Sequence, residues 1–406
     1  MTYDDTPIIY KNIFFGVMAD ANLGNSEAQY LVAVLYNSEE QYSYEDKSAY
    51  WFCRAAESGD VDAQSAIAKC YLYGTGMPHN YKLALYWLFM AAYGGDDESQ
   101  LFLSNFYEYG IILPTDLKTS FKWAKRAAIA GNPDAQYTLA NKFFYSTGVE
   151  QNYKKAFYWY KKAAEQGNPK ALFAISLCYD SGFGVQKNYE KFVQYLEMSA
   201  NAQYTPAMYE LGNIYMKEDM CVKESYLKRA IELYFSGANK GDDNCQVKLA
   251  ELYERGKGLV KSTNKAFYWY KKAALKHNPN AEFKIGEYYF NALAPAKSIK
   301  EAVYWFKSAA LKGHPLANTV LGQFYENGII FEKDLKKAVK YYEVASNVGE
   351  PASGYFLGQI YEFGDLGEID LKKAYEYYTV SAEAGCPLAY LRLGIFHNNG
   401  IYVKPD

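Results

Sequence analysis

The ten residues KAFYWYKKAA occur twice without change, at Lys155–Ala164 and at Lys265–Ala274. Within each copy the alanines and aromatic residues recur at intervals of three and four, which places them on one face of an α-helix. The tryptophan of each copy belongs to a longer period. The chain has six tryptophans, Trp51, Trp87, Trp123, Trp159, Trp269 and Trp305, and neighbouring ones are 36 residues apart with one exception. The gap between Trp159 and Trp269 equals three steps of 36 plus two residues. The chain is therefore an array of sequence repeats.

The segment Pro133–Asn168 shows what one repeat contains. Its first half carries an apolar residue at every fourth position from Ala135, and its second half holds the KAFYWYKKAA helix. Between them, Gly148 can adopt the left-handed backbone conformation that ends a helix. A Gly-Asn-Pro turn at residues 167–169 then leads into the next repeat, because proline suits the first turn of a helix. Each repeat is predicted to be a pair of helices with two short turns.

This pattern resembles the Sel1-like repeat family, which is related to the tetratricopeptide repeats. The family pattern runs roughly Ala-x-x-x-Leu-Gly-x-x-Tyr-x-x-Gly-x-Gly-Val, followed by Lys-Ala-x-x-Trp-Tyr-x-Lys-Ala-Ala-x-x-Gly. LGQFYENG at 321–328 and LGQIYE at 357–362 follow it closely, whereas residues 217–221 and 294–296 replace the glycine turn. The resemblance covers nearly the whole chain. It implies an all-α, right-handed superhelix (a solenoid) that is used for protein–protein contact and has no catalytic activity.

The repeat register also predicts how the chain is organised. We expect an amino-terminal capping helix within residues 1–24 and a repeat array over 25–406, with about ten helix pairs. The repeat near 205–243 is irregular, and we expect the array to loosen around Met216–Leu227, because the turn glycines are missing there. The last pair stops at Val403–Asp406, just where its second helix should begin. A half-built pair, a longer parent chain or a covering partner would each explain this end.

Composition argues against several classes of partner. The chain has 43 basic and 46 acidic residues and a net charge of −3, which disfavours nucleic acid and anionic membranes as ligands. No apolar stretch reaches the about 20 residues that a membrane span requires. Acidic residues stand at Asp4 and Asp5, where a signal peptide would carry positive charge. We expect a cytoplasmic protein, although export by a dedicated secretion system stays open.

No catalytic or metal-binding pattern stands out. The four histidines form no His-x-x-x-His pair, and no cysteines have zinc-finger spacing. The Gly-x-Gly turns lack the preceding strand that a phosphate loop requires. We therefore predict that the chain is no enzyme and uses no metal, cofactor or small-molecule substrate.

The predicted partner site is carried over from the related tetratricopeptide fold, in which the first helix of each pair lines the concave groove. Two residues after the core leucine of each first helix, or its replacement, lie Asn105, Asn141, Asn213, Glu251, Glu287, Gln323 and Gln359. Three residues further on lie Glu108, Asp180, Glu254, Glu326 and Glu362. Two residues before the leucine lie Tyr137, Phe173, Tyr209, Phe283 and Tyr355. These amides, acids and aromatic rings could bind the backbone and cationic side chains of a protein segment. The lysine pairs of the second helices, such as Lys161-Lys162, are expected to be solvated.

The predicted function is a scaffold that captures a protein or extended segment in this groove. It could serve as an adaptor or as a specific inhibitor, such as an immunity protein that neutralises a toxin. The alternative is a secreted bacterial effector or host-interaction factor. A neighbouring toxin gene would favour the inhibitor, and a neighbouring secretion locus would favour the effector.

Overall fold

The structure is a computed structural model that describes residues 8–38, 44–217, 224–293 and 297–401. The described residues form 22 α-helices and no strand, as the period of the apolar residues predicted. The chain divides into two compact units, residues 1–204 and 205–406. The division falls at the start of the repeat whose sequence is irregular.

The first unit holds eleven helices among its described residues. They are α1 Ile8–Asn22, α2 Ser26–Ser38, α3 Glu45–Glu57, α4 Val61–Tyr73, α5 Tyr81–Gly94, α6 Asp97–Tyr109, α7 Leu117–Ala130, α8 Pro133–Tyr145, α9 Tyr153–Glu165, α10 Pro169–Ser181 and α11 Tyr189–Asn201. The helix α1 packs against α2, and its role as a cap stays a prediction.

The second unit holds another eleven among its described residues. They are α12 Thr205–Tyr215, α13 Glu224–Asn239, α14 Asp243–Arg255, α15 Thr263–Ala274, α16 Pro279–Phe290, α17 Ile299–Leu311, α18 Pro315–Asn327, α19 Leu335–Asn347, α20 Pro351–Phe363, α21 Leu371–Glu383 and α22 Pro387–Asn398. From α2 onward, even-numbered helices are the first helices of the repeats and odd-numbered helices are the second helices.

Within each unit, neighbouring helices in sequence pack against each other, and helices of the same kind also touch across repeats. Between first helices, the Ser65 and Ser99 hydroxyls lie 3.1 Å apart, and the Thr319 and Ser353 hydroxyls lie 2.7 Å apart. Between second helices, the Tyr93 and Trp123 ring centroids are 5.3 Å apart. Each unit is therefore built from a layer of first helices beside a layer of second helices.

The turns are fixed by polar caps. At the entry to α10, the Asn168 side chain accepts a hydrogen bond from the Ala171 N–H, and Pro169 occupies the first turn. The same cap recurs before other first helices, at Asp60, Asp96, Asn132, Asp242 and Asn278. Before second helices it recurs at Asn80, Asp116, Asn152, Asn188, Ser262, Ser298, Asp334 and Asp370.

One turn glycine has a different role from the one predicted. Ser146, with φ of 62°, is the left-handed residue that ends α8, whereas Gly148 lies two residues later with φ of 73°. A Cβ at Gly148 would overlap the carbonyl oxygen of Leu117, at the start of the preceding second helix. Gly148 is therefore needed both for its backbone conformation and for close contact between repeats.

Several predictions fall on residues outside the described ranges. These are the altered turns at 218–221 and 294–296 and the chain end at Val403–Asp406. The expected loosening around Met216–Leu227 and the unfinished last pair therefore stay predictions.

Candidate protein-interaction surface

The predicted partner residues lie on the first helices, beside a row of fully buried residues. The residues of this kind that are 0% exposed include Leu103 and Leu139 in the first unit and Leu249, Leu321 and Leu357 in the second. Most of the predicted residues are half-buried, Asp180 is exposed and Phe283 is buried. They therefore border the core, and several also take part in it.

Three of the predicted glutamates accept hydrogen bonds from buried tyrosines of the second helix in their own repeat. The hydroxyl groups of Tyr342 and Tyr378 each donate at 2.6 Å, to Glu326 and Glu362 respectively. Tyr270 donates to Glu254 at 3.1 Å. Burial, with help from the neighbouring carboxylate, raises the pKa of the Tyr342 phenol far above its usual value, so it stays a donor.

Where a repeat has no carboxylate at that position, the tyrosine hydroxyl bonds to the predicted asparagine instead. Tyr160 donates to the Asn141 side-chain oxygen at 2.6 Å, and Tyr234 donates to that of Asn213 at 2.8 Å. The position of the glutamate is occupied there by Phe144 in one repeat and by Met216 in the other. Five predicted partner residues thus also join the two helices of their repeats.

Glu108 is held differently, because its repeat has Ala124 at the position of the donor tyrosine. Lys142 reaches across from the next first helix and forms an ion pair with Glu108 at 2.5 Å. The Lys142 side chain is 1% exposed, and its ammonium also donates to the Ser120 hydroxyl at 2.7 Å. In the second unit Arg392 forms a similar pair with Glu362 between α22 and α20. Neither cation was predicted from the sequence.

A second set of predicted residues forms fewer side-chain bonds to other helices. Asp180 is exposed, and its repeat has Leu196 where a donor tyrosine could stand. Among the described residues, no side-chain hydrogen bond involves the amides of Asn105, Gln323 or Gln359. Glu251 and Glu287 form ion pairs with lysines on their own helices, at 3.0 Å to Lys248 and 2.8 Å to Lys284. Pairs of this kind on an exposed surface contribute little stability, so these groups can exchange partners.

The predicted aromatic residues divide in the same way. Tyr137, Phe173, Tyr209 and Tyr355 are half-buried. Phe283 is only 7% exposed, because its ring stacks on His314 at a centroid distance of 4.6 Å and also packs on Phe306. Phe283 is therefore part of the core and does not offer an exposed ring to a partner.

Two cavities lie along the first helices, one within each unit. In the second unit a cavity of about 210 Å³ brings together Asn213, Tyr234, Lys248, Glu251 and Arg255. Two of these, Asn213 and Glu251, were predicted from the sequence. In the first unit a cavity of about 300 Å³ opens beside α4, and its lining includes Asp62, Lys69, Tyr73, Asp96 and Glu98. This cavity was not predicted from the sequence, because the pattern of amides and acids begins only at Asn105.

Three exposed tyrosines were also missed. Tyr73, Tyr109 and Tyr145 are the last residues of α4, α6 and α8, and they are 62%, 69% and 70% exposed. They recur every 36 residues, which is the signal that could have identified them. Their phenols extend the first-helix surface of the first unit with groups suited to protein contact.

The described residues contain no cluster of side chains suited to hold a metal ion. None of the described helices combines the length and apolar character needed to cross a membrane.

Paired helices that repeat every 36 residues and stack in two layers define a tetratricopeptide-like helical repeat protein. The chain belongs to the Sel1 repeat family. The family model matches eleven stretches: residues 26–60, 61–96, 97–132, 133–168, 169–204, 205–242, 244–278, 279–314, 315–349, 351–386 and 387–406. The predicted family and the all-α repeat fold are thereby confirmed. Proteins of this family are generally non-catalytic scaffolds for protein interactions.

Solved structures of the same kind extend over most of the chain. A protective antigen from uropathogenic Escherichia coli strains, which displays an SLR fold, is 28% identical with a TM-score of 0.70, and the match covers 97% of this chain and 84% of that one. A Sel1 repeat protein from Oxalobacter formigenes is 26% identical with a TM-score of 0.58, covering 77% and 91%. An immunity protein from Pseudomonas aeruginosa is 20% identical with a TM-score of 0.26, covering 62% and 81%. No curated protein matches the chain.

Proposed function

We propose that this protein is a non-enzymatic scaffold that binds a protein or an extended peptide segment on its first-helix surfaces. It would act as an adaptor or as a specific inhibitor of one protein, such as a toxin-neutralising immunity protein. One observation carries the proposal. First helices of consecutive repeats touch within each unit, so side chains at one repeat position form a row along which an extended ligand can bind.

The chemistry of the first-helix rows in the two units supports a polypeptide ligand. Asn105, Gln323 and Gln359 offer amides that can pair with a peptide backbone, because each amide both donates and accepts. Asp180, Glu251 and Glu287 favour cationic side chains, and the half-buried rings of Tyr137 and Tyr355 offer aromatic contact area.

The structure also separates residues suited to contact from residues that secure the fold. Glu254, Glu326 and Glu362 accept buried tyrosine hydroxyls, so substituting them would disturb the helix pairs as well as any ligand contact. Asn105 and Gln323 are better probes, because no described side-chain hydrogen bond would be lost. They lie in different units, so a variant that changes both residues tests the first-helix rows of both units.

A pull-down from cells of the source organism, analysed by mass spectrometry, tests the proposal. The wild type is compared with Asn105→Arg/Gln323→Arg, which places bulk and charge on the first-helix rows, and with Lys161→Glu/Lys271→Glu on exposed second-helix positions. We expect the lysine variant to retain the specific partner of the wild type and the first-helix variant to lose it. Retention by the first-helix variant, with loss by the lysine variant, would place the partner on the second-helix layer instead. Circular dichroism checks that both variants keep their helix content.

A second candidate function, a secreted or host-facing factor, is supported by one relative. The structure with a TM-score of 0.70 is that of a protective antigen. If this chain has a similar role, antibodies against it should detect it outside the cell or on the cell surface. Detection only in the cytoplasmic fraction would favour the adaptor or inhibitor.

A further inference from the structure

A row of four apolar residues runs along the outward face of α5, which also exposes Lys82 in its first turn. Leu83, Tyr86, Met90 and Tyr93 are 38%, 53%, 43% and 70% exposed. They follow one another at intervals of three and four, so they form a single row of about 15 Å along the helix. The opposite face of α5, with Leu88 at 0% exposure, already packs into the core.

The fold does not require an apolar residue at any of these four positions. In α9, which has the same place in its repeat, the equivalent residues are Lys155, Tyr158, Lys162 and Glu165, and all four are exposed. The repeat therefore folds with charged residues at three of the positions. The apolar row on α5 is a departure from the array and needs an explanation other than core packing.

A cationic helix borders this row. The neighbouring second helix α7 exposes Lys118, Lys122, Lys125 and Arg126 and contains no acidic residue. The two helices are in direct contact, because the Tyr93 ring centroid lies 5.3 Å from that of Trp123. Within α7, the Arg126 guanidinium lies 4.8 Å from the centroid of the same Trp123 ring. Apolar and basic groups thus form one continuous surface in the first unit, although the chain as a whole has a net charge of −3.

We propose that α5 and α7 form a second docking surface, which binds an amphipathic helix with acidic residues along one edge of its apolar face. This surface lies on the second-helix layer, so it is separate from the first-helix rows. The spacing of the apolar row matches the anchors of a helix, and the lysines of α7 complement the acidic edge.

The flanking charges favour this ligand over two others. An anionic membrane would also meet α3, the second helix of the preceding repeat, where the exposed acids Glu45, Asp46 and Glu57 outnumber the exposed bases. A second copy of the chain would bring another cationic α7, and the like charges would oppose pairing of the two α7 helices.

The test uses a synthetic amphipathic helical peptide with leucines on one face and glutamates along one edge, and a matched peptide with lysines in place of the glutamates. Fluorescence anisotropy measures binding of each to the full chain. The test variant, Leu83→Lys/Met90→Lys/Tyr93→Glu, gives α5 the residues of α9. The control variant, Leu275→Glu/Leu311→Glu, changes exposed leucines that occupy the position of Tyr93 in two other repeats.

We expect the glutamate peptide to bind the wild type and the control variant equally, and the test variant at least roughly tenfold more weakly. The lysine peptide should bind the wild type roughly tenfold more weakly than the glutamate peptide, and added salt should reduce the difference. The proposal fails if the glutamate peptide does not bind at millimolar concentration, or if it binds the test variant as well as the wild type. It also fails if the wild type binds phosphatidylglycerol vesicles and the test variant does not, or if the wild type forms a dimer in sedimentation and the test variant does not.

Discussion

Tyr342 donates its hydroxyl to the Glu326 carboxylate at 2.6 Å, which joins the second helix of one repeat to its first helix. Tyr378 and Glu362 repeat this bond 36 residues later. The phenol is buried, whereas the carboxylate lies at the edge of the first-helix surface. The repeat thus uses one polar residue both to orient its helices and to border the surface where we propose that a partner binds.

Replacing Tyr342 by phenylalanine should lower the stability of the second unit by about 1 kcal/mol, because the carboxylate loses a buried donor but can still reach water. Tyr304→Phe is the matched control, since Tyr304 is 61% exposed. Urea unfolding followed by circular dichroism measures both. Equal midpoints for the two variants would show that the bond contributes nothing.

Lys142→Met should destabilise the first unit by about 3 kcal/mol, because the Glu108 carboxylate loses its cation at a site where the Lys142 side chain is buried. The double variant Lys142→Met/Glu108→Leu should recover most of this loss, since an apolar pair carries no unpaired charge. Thermal unfolding of the two variants and the wild type measures the effect. If the double variant is less stable than the single one, Glu108 is stabilised by groups other than Lys142.

His314 should make the second unit sensitive to acid. Its Nδ1 accepts the Ala317 N–H at 3.2 Å, and burial lowers its pKa from 6.5 to about 4. The folded protein therefore keeps the ring neutral while the unfolded chain takes up a proton near pH 6.5. The stability contributed by the neutral ring is complete above that pH and is lost as the pH falls toward about 4.

The variant His314→Asn tests this, because Asn132, Asn168 and Asn278 form the same helix cap in other repeats. Melting temperatures of the variant should fall less than those of the wild type between neutral pH and about pH 4.5. Identical pH dependence of the two proteins would exclude His314 as the acid-sensitive group.

The regular parts of this structure could be predicted from the sequence. The periods of 36 and 3.6 determine the helix pairs, because most repeats bury small residues and a leucine or isoleucine at the same positions. The first-helix positions of Asn141 and Glu326 were also predicted. The tyrosines that bond to them were not predicted. The acceptor is the glutamate where a repeat has one, as at Glu326, and the asparagine where an apolar residue such as Phe144 takes the place of the glutamate.

Other features depend on departures from the repeat. Lys142 is buried because Ala124 replaces a tyrosine and leaves Glu108 without a donor, and a single sequence gives no reason to expect a lysine in the core. The apolar face of α5 could have been recognised, since LALYWLFMAA contains no charged residue. It was overlooked because a helix that is apolar on all sides suggests burial.

Photo-crosslinking in living cells tests the central claim most directly. A benzophenone amino acid is placed at Asn105 or Gln323 on the first helices, and at Lys161 or Lys271 on the second helices. We predict that a specific partner protein is crosslinked from a first-helix position in at least one unit, and that neither lysine position is crosslinked to this partner. Crosslinking of that protein only from Lys161 or Lys271 would contradict the claim that the first-helix surfaces bind the partner.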